Sequence, residues 1–363
     1  MENRMYSLQS IRGIAAILVL LHHASFIINK YHNYEYVGGI FHYGSLGVDL
    51  FFILSGFIIY YLHHSDIGEP KRVGTFLKKR TIRVYPAYWI VTLVLVPVYF
   101  LAPTMGLGYE RDFFVIIKSL LLIPQSHDPI LGVGWSLVYE IYFYLIFSLF
   151  ILTNRKFSIA VTLLWMATTS YLLVSNTLGS QDYILKFLFS PLIVEFLLGC
   201  LIAYLTLNYN LKKYKSLLLT GIIGLIVSLF IQYLGVITID REGIFRTLIY
   251  GVPSFFLIFG LIVLEKQGRF KNNKFLTFLG DASYSIYLVH LPAISFLNKM
   301  FTSLNLFNSI GHFLTTTICV IIATLAGCGF HILVEKPLLK YMRRRFLRKE
   351  KSNIQDKISK SIA

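Results

Sequence analysis

The stretch LQSIRGIAAILVLLHHASFII, residues 8–28, decides the fold. It is long and apolar enough to cross a bilayer as a helix, which takes about 20 residues. It nevertheless contains Arg12 and His23, and a cation at the bilayer centre costs roughly 2.5–3.5 kcal/mol. At about 100° per residue both side chains point the same way, about 16 Å apart along the helix axis. The pair therefore predicts a polar pocket along one face of a membrane helix.

The composition predicts an all-α polytopic membrane helix bundle. Of the 363 residues, 56% are hydrophobic and 14% are charged, whereas soluble domains carry about 25% charged residues. The three cysteines lie in apolar runs without the spacing of metal ligands, so we expect no metal site. Ten stretches are long enough to span: 8–28, 44–62, 85–101, 135–152, 158–175, 187–207, 217–235, 246–264, 282–302 and 309–334.

The net charge of +16 is explained by membrane topology rather than by nucleic-acid binding. Most of the 34 Lys and Arg residues fall on the segments that are cytoplasmic if the N-terminus is cytoplasmic. This distribution follows the positive-inside rule and predicts both termini in the cytoplasm. We therefore expect a membrane domain over residues 1–338 and a basic cytoplasmic tail over 339–363, in contact with membrane lipids.

Two acidic residues in the spans are candidates for catalysis. Asp49, in the second span, is expected at the depth of His23, where a carboxylate would fix the tautomer of the imidazole. The alternative is an interfacial aspartate in contact with water. Glu140 lies inside the fourth span with Tyr144 one turn later, and a buried glutamate must be paired, protonated or hydrated.

Further polar residues mark the other spans. Arg80 and Arg83 share a helix face before the third span and could hold phosphates by bidentate hydrogen bonds, or could be ordinary topology charges. His290 is expected near mid-membrane, and Glu335 is expected to cap the tenth span at the cytoplasm. Left unpaired in lipid, the buried ionisable groups would together cost on the order of 10 kcal/mol, so they should converge on one water-filled interior. These groups are Arg12, Asp49, Glu140 and Glu195.

These residues lie in segments that resemble the acyltransferase-3 family of integral membrane O-acyltransferases. The resemblance extends over about residues 8–338. It rests on six segments in the expected order: LQSIRGIAAILVLLHHASF, GSLGVDLFFILSGFII, RTIRVYPAYW, GVGWSLVYEIYFYL, LGDASYSIYLVHLP and VEKPL. The resemblance places family motif positions on these residues: Arg12, His23, Asp49, Arg80, Arg83, Trp135 and Glu140.

The resemblance implies an enzyme that takes an acyl group, expected to be acetyl, from acyl-CoA at the cytoplasmic face. The acceptor would be a hydroxyl of a cell-surface glycan or of a lipid-linked sugar, and the location a bacterial plasma membrane. Acyl-CoA would be a co-substrate, with no permanently bound cofactor. Some members carry an SGNH hydrolase domain, which we expect to be absent here.

Within this scheme we expect catalysis by His23, Arg12, Asp49 and Glu140. The substrate-binding residues are expected to be Arg80, Arg83, Trp135, Tyr144 and His290. The alternative function is a transporter or flippase for a polysaccharide or small molecule, which also needs polar residues in its spans. The oligomeric state stays open.

Overall fold

A computed structural model describes residues 5–175, 183–237 and 239–347, and over these residues the chain is helical without a β-strand. The all-α membrane bundle is therefore confirmed. The long helices are α1 (Tyr6–His32), α2 (Leu46–His63), α3 (Val73–Leu101), α5 (Trp135–Leu152), α6 (Arg155–Ser175), α8 (Leu192–Asn208), α9 (Tyr214–Tyr233), α11 (Val252–Lys266), α12 (Lys274–Ser303) and α14 (His312–Phe330). Short helices between them are α4 (Phe113–Leu121), α7 (Tyr183–Leu188), α10 (Ile244–Arg246) and α13 (Leu306–Ser309).

Nine helical segments of the described chain are long and apolar enough to cross a membrane. Helix α12, with 30 residues, is the tenth long helix and is not among these nine segments. It packs against α1, α3 and α14, so its polar face meets protein rather than lipid. Ten spans are therefore consistent with the helices observed.

The helix bounds differ from the predicted spans where polar residues extend a helix beyond its apolar part. Helix α3 begins at Val73, twelve residues before the predicted start of its span, so Arg80 and Arg83 lie within the helix. The span predicted at 187–207 is divided into α7 and α8, and Pro191 begins the second part. Helix α14 continues through a π-helical turn, His331–Glu335, into a helical segment that is described as far as Leu347. The remainder of the predicted tail, 348–363, lies outside the described residues.

Glycines allow the central helices to approach closely. A Cβ atom on Gly280 of α12 would collide with the backbone of Gln9 in α1, and one on Gly13 would meet the backbone of Leu276. Small residues at such crossings let helices pack tightly in membranes, where the hydrophobic effect does not drive association. These contacts hold α1, with Arg12 and His23, firmly against α12, with Ser283 and His290.

Candidate active site

A cavity of about 120 Å³ opens among α1, α2, α3, α5 and α12. Its polar lining contains three arginines, one glutamate, three serines and three tyrosines: Arg12, Arg80, Arg83, Glu140, Ser55, Ser136, Ser283, Tyr144, Tyr284 and Tyr287. The two predicted phosphate-binding residues, Arg80 and Arg83, therefore line one cavity together with Arg12. We call it the arginine cavity.

Arg83 is held by an ion pair at the edge of this cavity. Its guanidinium donates to the buried carboxylate of Glu335, and it stacks on the ring of Tyr284 at 5.2 Å. The other oxygen of Glu335 accepts from Ser285 Oγ at 2.6 Å and lies 2.7 Å from His331 Nδ1. The prediction that Glu335 caps the tenth span at the cytoplasm is therefore wrong, because its carboxylate points into the bundle to neutralise Arg83.

Arg80 has a different environment from Arg83. Its guanidinium lies 5.6 Å from the ring centre of Phe76 and 5.9 Å from that of Tyr144. Its Nε is buried, and within the described chain no group forms a hydrogen bond with that atom. A guanidinium without a fixed carboxylate partner can bind an incoming anion, so Arg80 fits this role better than Arg83.

Glu140 and Arg12 occupy the wall of the arginine cavity. Glu140 accepts from Ser55 Oγ at 3.2 Å and from the hydroxyl of Tyr144. Arg12 Nε donates to Ser283 Oγ at 3.3 Å. Glu140 thus accepts from one hydroxyl of α2 and one of its own helix, α5, and it places a carboxylate among the three arginines that line the cavity.

His23 forms a hydrogen-bonded pair with His290. The Nδ1 atom of His290 lies 2.8 Å from the carbonyl oxygen of Tyr287 and 3.1 Å from that of Ile286, so it must carry a proton. In a neutral imidazole Nε2 then has a lone pair, which faces His23 Nδ1 at 3.1 Å. His23 Nδ1 is also 2.9 Å from the carbonyl oxygen of Val19, so it is the donor to both. This leaves the lone pair of His23 on Nε2, where a base needs it.

The predicted pairing of His23 with Asp49 is wrong. Both carboxylate oxygens of Asp49 accept from Arg246, at 2.9 Å from Nε and 2.7 Å from Nη2. The fully buried Glu195 lies close enough to interact electrostatically with Asp49 and Arg246. The sequence places Arg246 at the edge of an apolar run, and it is drawn into the bundle because two buried carboxylates would otherwise lack a counter-charge.

The buried ionisable groups therefore form two clusters rather than the single interior that we expected. Asp49, Glu195 and Arg246 form one cluster, whereas Arg12 and Glu140 line the arginine cavity. The division follows from charge, since each cluster contains both signs. A carboxylate beside Arg246 is compensated by that guanidinium and does not need to reach the arginine cavity.

Tyr287 separates the arginine cavity from the histidine pair. Its hydroxyl contacts Ser136 Oγ at 2.7 Å and donates to the carbonyl oxygen of Val133 at 2.8 Å. Its ring lines the cavity, and the ring centre lies 5.7 Å from that of His290. Because His23 itself does not line the cavity, movement of Tyr287 is the simplest way to join the two.

The sequence did not single out Ser283, Tyr287 or Arg246 as parts of the polar network. The available signal was the spacing of Ser283, Tyr287 and His290, at positions i, i+4 and i+7 of one helix face. Among the predicted substrate-binding residues, Trp135 lies apart from the arginine cavity, in a second pocket near the His23 end of the bundle.

Comparison with known proteins identifies the family. Residues 5–333 match the acyltransferase domain of the acyltransferase-3 family. The exopolysaccharide production protein ExoZ of Rhizobium meliloti (strain 1021) is 30% identical over 326 residues, which cover 87% of this chain and 96% of ExoZ.

A second relative is the O-acetyltransferase OatA of Staphylococcus aureus (strain NCTC 8325 / PS 47), 25% identical over 331 residues. The match covers 82% of this chain and 53% of OatA, so this chain spans about half the length of that protein. No solved structure matches the chain. The chain belongs to the acyltransferase-3 family and is a multi-pass membrane acyltransferase.

Proposed function

We propose that this enzyme moves an acyl group, acetyl being the expected one, from acyl-CoA at the Arg80 end of the bundle to a sugar hydroxyl at the His23 end. The proposal places the Arg80 end in the cytoplasm, both termini on that side, and the enzyme in a bacterial plasma membrane. The distribution of basic residues supports this orientation. The printed names of ExoZ and OatA, an exopolysaccharide production protein and an O-acetyltransferase, support a polysaccharide-related acceptor.

The observation that carries the proposal is the His290–His23 hydrogen bond, which leaves the lone pair of His23 on Nε2, on the other side of Tyr287 from the arginine cavity. A positioned base within hydrogen-bond reach of a hydroxyl accelerates its reaction by about 10²–10⁴-fold. An acyl acceptor must lose its hydroxyl proton, whereas a transported molecule need not. The family assignment and this geometry favour an acyltransferase over a transporter.

The arginine cavity supplies a binding site for the donor. The phosphates of acyl-CoA are multiply charged anions, which guanidinium groups bind with parallel hydrogen bonds. Arg80 is the proposed phosphate contact, since Arg83 is already paired with Glu335. The pantetheine arm then lies in the cavity past Arg12 and Ser283.

The distance between Arg12 and His23 limits what Arg12 can do. Their positions on α1 are about 16 Å apart along the axis, whereas reacting atoms must approach within about 3–3.5 Å. Arg12 therefore binds and steadies the arm of the donor rather than the thioester carbonyl at His23. Tyr287 must move for that thioester to reach the histidine pair.

Direct transfer then takes place in two steps. Nε2 of His23 takes the proton of the acceptor hydroxyl while the hydroxyl oxygen bonds to the thioester carbonyl carbon. The carbon–sulfur bond breaks, and the thiolate of coenzyme A receives the proton from His23. Attack by Nε2 itself, with an acyl-histidine intermediate, is the other scheme, and the same lone pair serves both.

The test is acyl transfer by the purified full chain in proteoliposomes, with isotopically labelled acetyl-CoA inside. The proposal predicts a labelled acetyl ester on saccharide outside, and release of coenzyme A inside. An unmodified saccharide that crosses the membrane without coenzyme A release would contradict the proposal and support a transporter.

A further inference from the structure

We propose that the pocket around Trp135 binds an uncharged sugar ring of the acceptor, an inference that rests on the proposed function. This outer pocket has a volume of about 480 Å³, within the range of about 300–1,000 Å³ for small-molecule sites. Its lining includes charged and aromatic side chains, among them Asp128, Trp135, Tyr183, Arg241 and Glu242.

The outer pocket adjoins the histidine pair. Trp135 lines it, and the next residue, Ser136, is bonded to the hydroxyl of Tyr287, whose ring packs against His290. The charge of Arg241 is close enough to act electrostatically on His23 and Tyr287. A sugar in this pocket would therefore lie beside the proposed base, at the end of the bundle away from Arg80.

The charged side chains of the pocket compensate one another. Arg241 donates to both oxygens of Asp128, at 2.5 and 3.0 Å, and its guanidinium lies 4.9 Å from the ring centre of Trp135. Lys186 and Glu242 add one charge of each sign. A carboxylated or phosphorylated ligand would find no unpaired guanidinium here, unlike in the arginine cavity. Charge balance thus favours a neutral ligand.

The uncharged groups of the pocket match the surface of a sugar. Tyr109 and His127 stack in parallel, with ring centres 4.7 Å apart, and Trp135 and Tyr183 add further aromatic surface. Aromatic rings accept the apolar C–H face of a ring, while amide and carboxylate oxygens accept hydrogen bonds from hydroxyl groups. Asp128 and Glu242 supply such oxygens. The pocket combines both requirements, as specific small-molecule sites do.

The fluorescence of Trp135 offers a binding test that does not depend on catalysis. The chain has three tryptophans, so the full-length W89F/W165F variant reports on Trp135 alone. We expect millimolar methyl glucoside and cellobiose to change its emission with saturation, and glucuronic acid to bind at least tenfold more weakly. Tyr183→Ala should weaken the saturable response at least tenfold, and Tyr183→Phe should weaken it less. Tyr233→Ala, at a highly exposed position outside the pocket, should leave it unchanged.

Acylation by the same preparations distinguishes the possible failures. The pocket inference is wrong if neutral saccharides are acylated but none binds saturably. It is also wrong if Tyr183→Ala changes neither the binding nor the KM for the acceptor. In both cases the proposed function stands. If neutral saccharides bind at Trp135 but no acetyl-CoA-dependent ester forms on any of them, the proposed function is wrong and the pocket remains. Binding of glucuronic acid as tight as that of methyl glucoside, or tighter, overturns the assignment of an uncharged ring.

Discussion

Nδ1 of His23 and Nε2 of His290 lie 3.1 Å apart, although 267 positions separate the two residues in the chain. The contact joins α1 to α12 at the point where His290 is itself fixed by two backbone carbonyl groups. The group that orients His23 is therefore the imidazole of another histidine rather than a carboxylate. A neutral partner orients the base without adding a negative charge to a buried site.

Replacement of His290 should impair the orientation of His23 without removing the base. We expect His290→Ala to lower kcat by about 10–100-fold, as loss of an orienting partner does in other sites, while the KM for acyl-CoA stays within about twofold because Arg80 is distant. Steady-state kinetics of acyl transfer provide the measurement. His290→Gln keeps an acceptor in the same region and should recover part of kcat. A His290→Ala enzyme with unchanged kcat would show that the hydrogen bond has no part in catalysis.

The ion pair of Arg83 and Glu335 should contribute chiefly to stability. Removing one partner of a buried pair costs about 3–5 kcal/mol, because the other charge remains buried. We expect Arg83→Met to lower the melting temperature in detergent strongly, and R83M/E335Q to restore most of it. Arg80→Met should instead leave the melting temperature nearly unchanged and raise the KM for acyl-CoA. Equal effects of the two single arginine variants on KM would contradict this division of roles.

Asp49 is expected to act through Arg246 and not through His23. Asp49→Asn should therefore destabilise the fold, because it removes the carboxylate that accepts from both Nε and Nη2 of the buried Arg246. The kcat of the folded fraction should remain close to that of the wild type. The measurement pairs thermal unfolding with kcat normalised to folded protein. If the Asp49→Asn enzyme has the stability of the wild type but a kcat about a thousandfold lower, Asp49 takes part in catalysis.

The sequence predicted the kind of fold well, because its signals are local. Apolar runs of bilayer length gave helices with nearly the observed bounds, and Trp135–Leu152 agrees at both ends. The partners of the buried polar side chains were harder to predict from the sequence. Glu335 and Arg83 are 252 positions apart, and Arg246 and Asp49 are 197 apart. Hydropathy shows that each buried charge needs a partner, but helix packing decides which partner it receives.

The Asp128–Arg241 pair should make the outer pocket sensitive to acid. Burial raises the pKa of Asp128 above its ordinary value of 3.8, although Arg241 and His127 act in the opposite direction. As the pH falls, the folded protein therefore protonates Asp128 before the unfolded chain would. Ionisation of Asp128 as the pH rises therefore costs the folded state some stability. Acidification removes that cost, but it also breaks the ion pair with Arg241.

We expect the emission of Trp135 in the W89F/W165F variant to change as the pH falls towards the raised pKa, since Arg241 lies over that ring. The same variant with Asp128→Asn should show this change at neutral pH and lose the pH-dependent step. A step that persists in the Asp128→Asn background would assign it to another group.

The most direct measurement of the central claim is labelled acetyl transfer to a saccharide by His23→Ala, compared with the wild type in the same proteoliposomes. We predict that the variant inserts, keeps the wild-type affinity for acetyl-CoA, and forms labelled ester about 10²–10⁴-fold more slowly. Ester formation at the wild-type rate would show that Nε2 of His23 is not the base.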